Sequence, residues 1–76
     1  MSATMEATAV FERISRQTGI SMNELLGESR QRYIIEARDK IIFILHGKGY
    51  SAAKIGRLMQ RDHSSILNSL SKSRRA

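Results

Sequence analysis

Cysteine, proline and tryptophan are all missing from this 76-residue chain, and its aromatic residues are two Phe and two Tyr. The lack of cysteine excludes disulfides, thiol nucleophiles and thiolate metal sites together, so stability has to come from packing. The lack of proline removes the strongest helix breaker, leaving periodicity, caps and glycines to mark the segments. So few rings imply an aliphatic core. They also leave little to stack unpaired bases, the usual way of holding single-stranded nucleic acid, and this favours duplex as a ligand. Long apolar runs are missing too. The longest, Ile41 to Leu45, is far too short to span a bilayer, and the N-terminus has neither the basic start nor the apolar stretch of a secretory signal. A soluble cytoplasmic protein with no membrane partner is expected.

Acidic residues are scarce where basic ones gather. The chain carries 13 basic and 7 acidic residues, a net charge of +6, but residues 1–28 sum to −2 and residues 29–76 to +8. Such asymmetry points to a polyanionic partner for the C-terminal part, with nucleic acid foremost. The two histidines have no ligand-spaced companion, so no metal is expected. No nucleophile stands with a base and no carboxylates are paired. His63 and Ser64, adjacent on a helix, diverge by about 100° and cannot act as a dyad. Catalysis, cofactors and a small-molecule substrate are therefore not expected.

What is present reads as helix throughout. Ala7, Val10, Phe11, Ile14 and Thr18 recur every three or four residues and predict a first helix that ends at Gly19. Ser21 and Glu24 form a capping box, flanked by Ile20 and Leu25 at staple positions, and open a short second helix that Gly27 stops. A basic loop from Glu28 to Arg32 follows. Ile34, Ala37, Ile41, Ile44 and Leu45 mark the longest helix, from about Tyr33 to His46, closed by Gly47, Lys48 and Gly49. Tyr50 and Ser51 repeat the staple and cap, with Ile55 as partner, and start a short helix to about Met59. Gln60 and Arg61 form a tight turn before a last helix capped by Asp62. Its inward face is expected to carry Ile66, Leu67 and Leu70. Gly56 is expected where the preceding helix comes close. Two short helices joined by a few residues outline a helix-turn-helix.

A recognition helix enters the major groove with its N-terminal residues, here Asp62, His63, Ser64 and Ser65. Asp62 suits a cytosine amino group and Ser64 several bases, and one carboxylate can serve both as N-cap and as reader. Lys54, Arg57 and Arg61 flank the same end and suit the phosphate backbone. Arg30 and Arg32, in the loop before the long helix, are placed for an adjacent groove, where an arginine can enter a narrow A·T-rich minor groove.

The run Arg61-Asp62-His63-Ser64-Ser65-Ile66-Leu67 resembles the signature of the C-terminal DNA-binding domain of the bacterial replication initiator DnaA, which typically reads RDHTTV or RDHSTV. The leucine pair Leu25-Leu26, the basic loop, the long helix and Ile55-Gly56-Arg57 fall in the family's order, over roughly residues 9–73. The resemblance implies an all-α, Trp-repressor-like fold and recognition of a DnaA-box-type duplex. Asp62, His63 and Ser64 would read bases in the major groove and Arg30 would enter the minor groove. Arg32, Arg38, Lys54, Arg57, Arg61 and Ser65 would take phosphates. Arg38 matches the arginine of the family's RPRQ run, where this chain has Ala37 in place of proline and Asp39 in place of glutamine. Met59-Gln60 stands where many members have Phe-Gly-Gly.

The expected organisation is a frayed N-terminus over 1–8, the DNA-binding domain over 9–73 and a basic tail over 74–76. No phosphate-binding loop of the Gly-x-x-x-x-Gly-Lys-Ser/Thr type occurs, so the chain is expected to act as a small, nucleoid-associated regulator of transcription or replication rather than as an ATPase. With the apolar residues assigned to one core, a monomer is expected. The alternative is a helical adaptor whose basic face docks on an acidic protein.

Overall fold

Ser21 and Ser51 each begin a helix, as their flanking residues predict. The Ser21 hydroxyl accepts from the Glu24 amide at 3.2 Å and the Glu24 carboxylate accepts from the Ser21 amide at 3.4 Å, which satisfies two amides that the helix itself leaves unpaired. Ser51 accepts from the Lys54 amide at 3.2 Å. In the computed structural model, which describes residues 3–28 and 31–75, the elements are α1 (Ala3–Thr18), α2 (Met22–Leu26), α3 (Arg32–Gly47), α4 (Ala52–Met59) and α5 (His63–Arg75). Among the described residues there is no strand. The fold is all-α, as the periodicity implies.

The core forms where the apolar stripes meet. Leu25, Ile34, Ile41, Leu45, Ile55, Met59 and Ile66 are fully buried and come from four different helices. Burying one such side chain is worth about 1.5–3 kcal/mol, so these residues dominate the cohesion of a small domain. The long α3 runs through the middle and packs against α1, α2, α4 and α5. The most extensive pairing joins α4 to α5. A Tyr50 hydroxyl donating to Glu6 at 2.7 Å ties the first turn of α1 to the residue before the N-cap of α4.

Helix α1 starts at Ala3, and Ala7, within the 1–8 stretch, is in the core one turn before Phe11. Helix α5 runs on to Arg75, where a tail from 74 was expected. Leu67 is half exposed, not inward. Ile66 and Leu70, four apart, fill the inward stripe, and Leu67 sits about 100° around the helix from Ile66.

Candidate nucleic-acid interface

The turn between α4 and α5 is built by the backbone. Gln60 adopts the left-handed conformation at φ 57°, its amide donates to the Arg57 carbonyl at 3.3 Å, and the Arg61 amide donates to the Gly56 carbonyl at 2.7 Å. This pair of bonds is the Schellman closure, which satisfies the last carbonyls of α4 and reverses the chain. The closure brings the turn onto the helix at Gly56. A Cβ at that position would lie 2.6 Å from the Arg61 carbonyl oxygen and 3.5 Å from the His63 amide nitrogen. The close approach expected at Gly56 is therefore real, but the neighbour is the turn that follows and not another helix.

Helix α5 starts beyond this closure. The Asp62 carbonyl accepts from the Ser65 and Ile66 amides at 3.1 and 3.4 Å, which puts Asp62 at the N-cap position. Its carboxylate, however, makes no hydrogen bond or ion pair among the described residues, and neither do the side chains of His63 and Ser64. All three are exposed. Thus the end of α5 that carries the positive dipole and unpaired amides also presents an acceptor, an imidazole and a hydroxyl that none of the described residues engages. Leu67 stands on this face, one turn from His63 and Ser64, and brings an apolar group into a polar surface.

The candidate phosphate-binding cations stand on three elements. Lys54 and Arg57 are exposed on α4, one turn apart. Arg57 lines a shallow depression with Ala53, Gly56, Gln60, Arg61, Asp62 and His63. On the other side Arg61, Asp62 and Ser65 face Leu26, Gly27 and Glu28 across a cleft, so the stretch after α2 lies beside the start of α5. Arg32 is exposed at the start of α3, with its guanidinium 3.6 Å from the Glu36 carboxylate. Arg30 lies outside the described residues.

Two of the expected phosphate-binding arginines turn inward. Arg38 is buried, and its guanidinium donates to the carbonyls of Leu25 at 2.8 Å, Glu24 at 3.0 Å and Gly27 at 2.6 Å. These oxygens belong to the C-terminal end of α2, where helical carbonyls lack partners and a cation is favoured by the dipole. Burial, and then the neighbouring Arg61, lowers the Arg38 pKa from its usual value. Arg61 is half-buried and also donates to the Gly27 carbonyl. Its Nε is buried and has no hydrogen-bond partner among the described residues. Periodicity places Arg38 on the inward stripe, four residues after Ile34 and three before Ile41, but gives no sign of its acceptors, which are main-chain atoms.

A comparison with protein families matches residues 7–72 to the model described as the bacterial DnaA protein helix-turn-helix. No curated protein and no solved structure gives a significant match.

Proposed function

Because the chain belongs to the bacterial DnaA helix-turn-helix family, whose domains bind DNA, we propose that it binds duplex DNA sequence-specifically at a DnaA-box-like site. The observation that carries this reading is the exposed trio Asp62, His63 and Ser64, uncommitted among the described residues, at the open end of α5. Side chains of this kind at the entering end of a helix are suited to base edges in the major groove. Leu67 completes the surface with an apolar group suited to a thymine methyl.

Lys54 and Arg57 take phosphates on the α4 side. Ser65 takes them beside the stretch that follows α2, where Arg61, half-buried and bonded to the Gly27 carbonyl, adds positive charge behind the contact. Arg32 joins them, because an exposed pair such as Arg32–Glu36 is worth at most about 1 kcal/mol and gives way to a phosphate. Arg30 enters the adjacent minor groove. Arg38 is reassigned: its guanidinium holds the end of α2 and the stretch after it, and it reaches no phosphate. A domain with these properties acts as a small regulator of transcription or replication by occupying sites, associated with the nucleoid in the cytoplasm.

The test is fluorescence anisotropy with a labelled DnaA-box duplex and a scrambled duplex of the same composition, at two salt concentrations. Tighter binding to the box at both salts is expected. Equal, salt-labile binding to both would reduce the site to nonspecific coating, and no binding to either would favour the acidic-protein adaptor.

A further inference from the structure

The outward face of α3 carries a pattern that neither the core nor the candidate interface uses. Tyr33, Glu36, Lys40, Phe43 and Gly47 follow one another at alternating steps of three and four, and all five are exposed. That spacing is the seam of a coiled coil and forms one straight stripe along a helix. Tyr33 is 52% exposed and Phe43 61%, so both members of the stripe with large apolar surface lie in water. At about 100° per residue, the stripe lies on the far side of α3 from Arg38 and Ile42, which face Arg61 and Ser65.

The stripe is complementary to itself when reversed. If two α3 helices lie antiparallel with a two-fold axis level with position 38, each residue meets the one whose number completes the sum of 76. Tyr33 then meets Phe43 of the second copy, and Glu36 meets Lys40 of the second copy. Both pairs occur twice, as a two-fold interface requires. Two aromatic pairs thus enclose two opposite-charge pairs. Parallel alignment has no such merit, since it sets Glu36 against Glu36 and Lys40 against Lys40.

We propose that this face is a homodimer surface on which two copies pair through α3, antiparallel, with Tyr33 on Phe43 and Glu36 on Lys40. The occupant is a second copy because the antiparallel reversal sets opposite charges together, where the parallel alignment sets like charges together. The Glu36 carboxylate exchanges its exposed contact with Arg32, at 3.6 Å within the same helix, for the ammonium of the second copy. Four side chains from each copy bury far less than the ~800 Å² per partner of a stable complex. The pair is therefore weak in free solution and needs covalent trapping to be seen. The inference does not depend on the DNA-binding reading.

Since the chain has no cysteine, an introduced thiol is unique. Tyr33→Cys and Phe43→Cys, each verified as folded by circular dichroism, are treated with a short bismaleimide separately and as an equimolar mixture. The expected result is at least tenfold more dimer product in the mixture than in either variant alone, because like positions lie about 15 Å apart along the axis and unlike positions are in contact. Adding Lys40→Glu to both variants should abolish the product, and adding Glu36→Lys as well should restore it. Product that is absent from the mixture, or equal in all three reactions, or indifferent to the charge substitutions, overturns the proposal.

Discussion

Arg38 and Arg61 donate to the same atom, the carbonyl oxygen of Gly27. One arginine comes from the middle of α3 and the other from the turn before α5, so the end of α2 is fastened at once to the core and to the candidate reading surface. Two guanidinium groups on one oxygen repel each other, and the Arg38 pKa is lowered first by burial and then by that neighbouring charge. The arrangement persists because Arg38 has two further carbonyls to bind.

Arg38→Met should therefore act on stability, not on phosphate binding. Leaving buried carbonyls without a donor costs about 2–3 kcal/mol, to be measured by urea denaturation. The slope of log affinity against log salt should remain at the wild-type value in the variant. Arg57→Ala is the contrasting case, with unchanged stability and a slope reduced by about one. A reduced slope for Arg38→Met would return that residue to the phosphate-binding set.

His63→Ala should weaken binding to the preferred duplex by about 1–3 kcal/mol and narrow the gap to single-base variants of the site. Competition anisotropy over a panel of such variants measures it. If affinity falls equally across the panel, His63 contacts the backbone.

Gly56→Ala sets helix propensity against space. Alanine gains about 1 kcal/mol in a helix, but the new Cβ would lie 2.6 Å from the Arg61 carbonyl oxygen, a main-chain atom that cannot swing aside. Net destabilisation of about 1–3 kcal/mol is expected, with weaker duplex binding because the start of α5 must move. Thermal denaturation showing equal or greater stability would contradict the close approach.

Gln60→Gly should do the opposite. A side chain in the left-handed conformation costs about 1–2 kcal/mol, and the greater freedom of glycine in the unfolded chain returns about 0.5–1 kcal/mol of that. A gain of about 0.5–1 kcal/mol follows, read as a higher denaturation midpoint. A loss would mean that the Gln60 side chain contributes more than its backbone conformation costs.

Tyr50 titrates with a raised pKa, first because its hydroxyl is bonded to Glu6, then because of burial and the Glu6 charge. Folding thus favours the neutral phenol. Its contribution to stability is complete below the ordinary value of 10.0 and is lost as pH rises through the higher value in the folded protein. The stability difference between the wild type and Tyr50→Phe should accordingly be constant near neutrality and shrink above pH ~10. A difference that does not change across the alkaline range would show that the bond to Glu6 does not persist in solution.

The helices were legible in the sequence because their signals are local. Ser21 with Glu24, Ser51 with its following turn, and Ile66 with Leu70 speak through spacings of three and four. Where the sequence misled, the deciding partner was distant or carried no side-chain label. Arg38 was expected on a phosphate through its match to the family's RPRQ run, and the α2 carbonyls it binds instead belong to any residue type. Leu67 looked like core because leucine is apolar, although Ile66 and Leu70 already fill the stripe. The left-handed turn at Gln60 gave no signal, since glutamine is an unusual residue there and the closure is made by amides.

An oxygen of the main chain cannot be deleted by mutation. Every allele of this protein will present an acceptor at position 27, whatever residue the codon specifies, so inheritance can alter this junction only through the two donors or through the path of the backbone. The route through position 27 itself is narrow, since a Cβ there would lie 2.8 Å from the Asn23 carbonyl oxygen. Variation that retunes how the end of α2 sits against the reading helix should therefore collect at Arg38 and Arg61. A screen for altered DNA preference that mutates only the exposed trio would miss it.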